Sequence, residues 1–135
     1  MDVTTQDWEN SAAGPLAGLL AEDHRRLDAF LHSAVADPLK VDRAAYDRFR
    51  AGLLRHIGME EKILLPAAQQ LRGGEPLSIA RKLRLDHGAL GALLMPTPTA
   101  AILAKIRGIL ADHNALEEGQ AGLYGICDRL AGRRS

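Results

Sequence analysis

The chain has 135 residues, 47% of them hydrophobic, which is enough for one domain with a full core. Lys plus Arg equals Asp plus Glu, 17 of each, so the basic footprint of a nucleic-acid binder is missing. No apolar run approaches the roughly 18 residues that a membrane span needs, and with one Trp, two Tyr and two Phe the core falls to Leu, Ile and Ala, which favours helices over a sheet.

Residues 1–13 read as a polar arm in which Trp8 stands alone, a candidate anchor on one end of the domain. The arm shows no basic region followed by an apolar run, so no secretory signal is expected. Cys127 is the only cysteine, so no internal disulfide can form and a reducing, cytoplasmic setting is expected.

The domain proper spans 14–132. A first helix is predicted from Pro15, which suits a first helical turn, to before Pro38, with Leu20, His24, Leu27 and Leu31 as its inward stripe. His32 falls about 80° round the helix from His24 and reads as boundary or surface. A second helix follows Asp42, a candidate N-cap. It carries Phe49, Leu53, His56, Glu60, Ile63 and Ala67 inward, should be kinked or weakened by Pro66, and stops at Gly73-Gly74. A third opens near Pro76, turns Ala80, Leu83, His87, Leu90 and Leu94 inward, and ends at Pro96. A fourth starts with Thr97 as N-cap and Pro98 at the first position. It runs through Ile102, Ile106, Ile109, His113, Leu116, Glu117, Gln120, Tyr124 and Cys127 on or near one face. Four helices with short links make an all-α, up-down-up-down four-helix bundle.

The inward stripes carry the chemistry. His56-Ile57-Gly58-Met59-Glu60-Glu61 returns as His113-Asn114-Ala115-Leu116-Glu117-Glu118, and Asp23-His24-Arg25-Arg26-Leu27 returns as Asp86-His87-Gly88-Ala89-Leu90. One helical hairpin is used twice. In a helix, positions i and i+4 share a face, so His56 with Glu60, and His113 with Glu117, each offer an imidazole and a carboxylate to one point.

A lone histidine on an apolar helix face is ordinarily a core or boundary residue. Here each predicted helix carries one, and two of the four have a carboxylate one turn on. Buried glutamate is costly unless paired or bound to a metal. The six residues His24, His56, Glu60, His87, His113 and Glu117 are therefore the candidate metal ligands. A structural zinc site needs four ligands and usually recruits Cys, and calcium and magnesium prefer oxygen. Six N/O ligands in a bundle core suit two iron or manganese ions with bridging carboxylates.

The ordered set His, His-x-x-x-Glu, His, His-x-x-x-Glu, with the run Glu60-Glu61-Lys62-Ile63-Leu64-Leu65-Pro66, resembles the hemerythrin-like (HHE cation-binding) family from about residue 15 to 131. The resemblance implies a four-helix bundle with a non-haem di-iron centre, two oxo- or hydroxo-bridged iron ions for which Mn or Zn could substitute. It implies O₂ or another small oxidant as partner, or a role in sensing oxygen, iron or redox state.

Oxygen carriers of the family have a second histidine one turn after the first on the third helix, where this chain has Gly91. They also end with a carboxylate five residues after the last histidine, here Glu118. Glu117 is the better ligand, because i+4 lies about 40° from His113 and i+5 about 140°. Two imidazoles, two shared carboxylates and one bridge leave a position open on each ion, unless Glu61, Glu118 or water takes it.

Asp23, Asp86 and Asp112 each precede a histidine and point about 100° away from it. Each would have to serve an adjacent helix, and solvation or an inter-helix salt bridge is expected for them. Tyr124 is expected to pack in the core with a bonded hydroxyl, and Cys127 to be an inert core thiol. Three functions fit: a di-iron protein that binds O₂, a ferroxidase- or peroxidase-like enzyme, or an iron-dependent sensor or interaction module.

Overall fold

The computed structural model describes residues 14–119 and 121–134, so the arm with Trp8, and Gln120, lie outside the described residues. Every regular element described is helical. Helix α1 is Pro15–Ala34. The carboxylate of Asp128, far along the chain, accepts from the amides of Leu16 and Ala17 at 3.1 and 2.9 Å. Those are first-turn amides with no partner inside the helix. Helix α2 is Arg43–Met59, with Asp42 as N-cap accepting from the Ala45 amide at 3.1 Å.

A π-helical turn, Glu60–Leu64, then joins α2 to α3, Leu65–Leu71. Pro66, at the start of α3, has no amide hydrogen to return to the preceding turn. The helix widens just before it, and the Leu65 amide donates to the Glu60 carbonyl five residues back. The expected kink is thus an inserted π turn, and it shifts the register. Ile63, expected inward, is 60% exposed, and Ala67 is exposed too. Leu64 and Ala68 are buried in their place.

Helix α4 is Ala80–Leu93. Residues 75–77 are irregular and a turn follows, closed by the Ala80 amide donating to the Leu77 carbonyl at 3.0 Å, so the helix opens later than Pro76 suggests. Helix α5 is Ala100–Glu118. Its N-cap is Thr99 rather than Thr97: Thr99 is extended (φ −126, ψ 162) and its hydroxyl accepts from the Ile102 amide at 3.2 Å, which leaves Pro98 in the link.

The expected fourth helix is not continuous through Cys127. Gly119 leaves the helical conformation at ψ 165, and α6, Leu123–Arg134, follows as a separate helix. Gly122 packs against the carbonyls of Leu116 and Glu117 so closely that a Cβ there would collide with both. Helix α1 packs on α2, α5 and α6; α4 packs on α5, and α3 on α6.

Two apolar clusters fill the interior. One includes Leu20, Leu64, Leu83 and Leu123, the other Leu27, Leu53, Leu90 and Leu110. His24 falls between Leu20 and Leu27 along α1, and His87 between Leu83 and Leu90 along α4. His56 and His113 likewise fall between a leucine of one cluster and a leucine of the other. A polar layer thus crosses the bundle between two apolar cores.

Candidate metal centre

The buried polar and charged side chains among the described residues are His24, His56, Glu60, Asp86, His87, His113 and Glu117. Six are the residues picked out by the repeated hairpin. They meet as two overlapping groups, His24, His56, Glu60 and Glu117, and Glu60, His87, His113 and Glu117, with the donor atoms of each group within 4.8 Å of one another. The two glutamates belong to both groups. Glu60 sits on the π turn and Glu117 one residue from the end of α5, both fully buried.

Each histidine is gripped from behind. The Nδ1 atoms of His24, His56, His87 and His113 lie 2.6, 2.7, 2.6 and 2.9 Å from carboxylate oxygens of Glu118, Asp23, Glu61 and Asp86 respectively. A carboxylate only accepts, so Nδ1 carries the hydrogen and Nε2 faces the centre. The links form a closed ring, α5 to α1, α1 to α2, the π turn to α4, and α4 back to α5. Every carboxylate in it adjoins, in sequence, a residue of the central six, and points to the next helix for that reason.

This ring sharpens the expectations for the outer carboxylates. Asp23 and Asp86 make the inter-helix salt bridges expected of them, and the partners are the histidines His56 and His113. Each orients a histidine on the neighbouring helix, although Asp23 also binds Arg26 and Asp86 also binds Lys82. Glu61 and Glu118 approach Nδ1 atoms at the outer edges of the rings, not the centre where they could complete an ion's shell. Asp112 is exposed.

Charge matches this arrangement. Burial opposes ionisation of Asp23 and Asp86, but the histidine and cationic partners prevail and hold both carboxyls below the usual range. Burial likewise opposes protonation of His87, and Glu117, Glu60 and Glu61 overcome it, pushing His87 up to about 10. His56 and His113 are raised for the same reason, by Glu60 and Glu117 foremost. Glu117 is driven far down, against its burial, by His113, His24 and His87.

On the side of His87 and His113 the inner atoms are close without being satisfied. Nε2 of His87 lies 2.9 Å from Glu60 Oε1 and 3.7 Å from Glu117 Oε2, and Nε2 of His113 lies 2.9 Å from Glu117 Oε2. Yet Glu60 Oε1, His87 Nε2 and Glu117 Oε2 have no partner in hydrogen-bonding geometry. Close donor atoms that share a centre rather than a bond are what a cation requires, and leaving them unpaired in the interior is otherwise costly. The donor set, imidazole nitrogens and carboxylate oxygens, fits a transition-metal ion.

Tyr124 is fully buried with a bonded hydroxyl, as expected, but α6 brings it there from outside the line of α5. Its hydroxyl touches both shared glutamates but only the first pair of histidines: Glu60 Oε2 at 2.5 Å, Glu117 Oε1 at 2.8 Å, and Nε2 of His24 and His56 each at 2.8 Å. Cys127 is buried, and its thiol is pushed up to about 11 by that burial and by nearby Asp128, so it stays protonated and unreactive. His32 is exposed beside Arg107. A surface groove of about 830 Å³ between α1 and α5, with His24, Asn114 and Glu118 in its wall, meets the polar layer from the His24 side. A Cβ on Gly91 would meet no atom within 4 Å, so the place where carriers have a further histidine is open space.

A helical bundle with a layer of histidines and shared glutamates between two apolar cores defines a cation-binding domain. The model of the hemerythrin HHE cation binding domain matches residues 16–122, and the chain belongs to that family. No curated protein and no solved structure matches it.

Proposed function

We propose that the polar layer holds two iron ions and that the centre binds or reacts with O₂ or a related small oxidant. One ion would sit with His24 and His56, the other with His87 and His113, and Glu60 and Glu117 would serve both. The overlap of the two groups at those glutamates carries this reading, supported by the unpaired Glu60 Oε1, His87 Nε2 and Glu117 Oε2. Iron bound there would supply redox chemistry and a Lewis-acid position for the oxidant.

The chain's residues do the rest. The four outer carboxylates set each imidazole's tautomer and raise its basicity. The two inner carboxylates offset part of the cationic charge. Leucines on both sides keep bulk water from the layer. On this reading the chain is an up-down-up-down bundle working in a reducing, cytoplasmic setting, in keeping with its single buried cysteine.

Metal analysis of iron-replete protein, with an optical spectrum after exposing the ferrous form to air, tests the proposal. Two irons per chain and a spectral change with oxygen are expected. Mononuclear zinc at full occupancy, or two irons indifferent to air and peroxide, would overturn it. Steady-state consumption of peroxide or Fe(II) would assign the centre to an enzyme. Strong stabilisation by iron without turnover would assign it to a sensor.

A further inference from the structure

The two halves of the polar layer are built from the same repeated hairpin, yet they differ at one atom. The first group places its donor atoms round a common edge: Glu117 Oε1 is 3.1 Å from His24 Nε2, which is 3.1 Å from His56 Nε2, which is 3.1 Å from Glu60 Oε2. Two ligand atoms about 2.1 Å from one ion and at right angles to each other are about 3 Å apart, so these spacings suit neighbouring positions of one coordination shell. The Tyr124 oxygen stands 2.5–2.8 Å from all four. A phenol has a single proton to donate, so it cannot serve the two carboxylate oxygens, Glu60 Oε2 and Glu117 Oε1, at once.

No such group faces the second set. Tyr124 follows Glu117 by seven residues. The residue seven after Glu60 is Ala67, which is exposed, and the π turn brings Ala68 inward instead. Neither has a donor atom. The unpartnered inner atoms show the same asymmetry. Glu60 Oε1, Glu117 Oε2 and His87 Nε2 belong to the side without the tyrosine.

From this placement we infer that Tyr124 is a further metal ligand, binding as phenolate to the ion held by His24, His56, Glu60 and Glu117, and that the ion held by His87 and His113 keeps the open position. The inference rests on the two-ion reading above. Ligation breaks the phenolic O–H bond, forms an O–metal bond and releases the proton to solvent, with no change of oxidation state. The pair of ions is then unequal, one closed by protein and one free to take a small ligand. The chain would reach by way of a tyrosine on α6 the inequality that a histidine at position 91 would otherwise supply.

The test is the visible spectrum of the air-oxidised, iron-loaded protein, with resonance Raman excited in any visible band. A phenolate bound to iron(III) gives a charge-transfer absorption and enhanced ring vibrations that imidazole and carboxylate ligands do not. We expect both in the wild type, their loss in Tyr124→Phe with iron content unchanged, and their retention in Tyr46→Phe, which removes the other tyrosine. Two irons per chain in the wild type without the phenolate vibrations would overturn the inference and leave the two-ion reading standing, whether or not Tyr124→Phe folds. Vibrations that persist in Tyr124→Phe would also overturn it. A wild-type chain that takes up no iron would overturn both.

Discussion

Asp23 directly precedes His24, yet it holds a different histidine: its Oδ2 lies 2.7 Å from Nδ1 of His56 on the next helix. Helix geometry requires this, because neighbours in sequence point about 100° apart. The same offset, used four times, turns residues adjacent to the central six into a ring that orients the histidines. Asp23→Asn keeps the shape and removes the charge. Iron affinity, read by competition with a chelator, should fall about 10- to 100-fold. Asp112→Asn, at an exposed position, should leave affinity unchanged. Equal losses in the two variants would dissociate the ring from metal binding.

Glu60 and Glu117 are shared by the two donor groups, so removing either should affect both ions rather than one. Glu60→Ala and Glu117→Ala are expected to lower metal content and alter the spectrum of what remains. Full occupancy with an unchanged spectrum in both would show that the carboxylates are not ligands.

Acidity should act on the metal-free chain in a defined direction. His87 is raised from an unfolded value of about 6.5 to about 10. Its contribution to stability is therefore complete below the unfolded value and lost as pH rises through about 10. Asp23, Asp86 and Glu117 are lowered, so theirs is present above about pH 4 and lost as pH falls through their folded values. The melting temperature of the metal-free protein should be greatest between roughly pH 4 and 6.5 and decline toward pH 10. Metal uptake near neutrality should release protons, because a ligating imidazole must be neutral. Calorimetry in buffers of different ionisation enthalpy would read that release, and its absence would mean that His87 is already neutral before metal enters.

Gly122 allows α6 to start against the end of α5, where a Cβ would strike the carbonyls of Leu116 and Glu117. Gly122→Ala should cost about 1–3 kcal/mol of stability in urea unfolding, the usual range for an overpacked site. It should also displace Tyr124 from the polar layer and weaken whatever spectral signature Tyr124 contributes. A variant as stable as wild type would show that the turn can relax without that glycine.

The family, the helical class and the six inner residues were all legible in the sequence. Each rests on local spacing: i and i+4 share a helix face, and apolar residues at three- and four-residue steps mark which face is buried. His24, His56, His87 and His113 each interrupt such a stripe, and Glu60 and Glu117 follow two of them by one turn. Tertiary structure decided what local spacing cannot carry. The widened turn before Pro66 moved the buried positions from Ile63 and Ala67 to Leu64 and Ala68, because one extra residue in a turn rotates everything after it. The break at Gly119–Gly122 replaced one long helix by two. Continued straight, α5 would have carried Tyr124 about 16 Å along the axis from His113, whereas the fold sets its hydroxyl against His24, His56, Glu60 and Glu117. The partners of Asp23, Glu61, Asp86 and Glu118 depended on which helices lie side by side, a long-range relationship settled only when the two apolar cores pack.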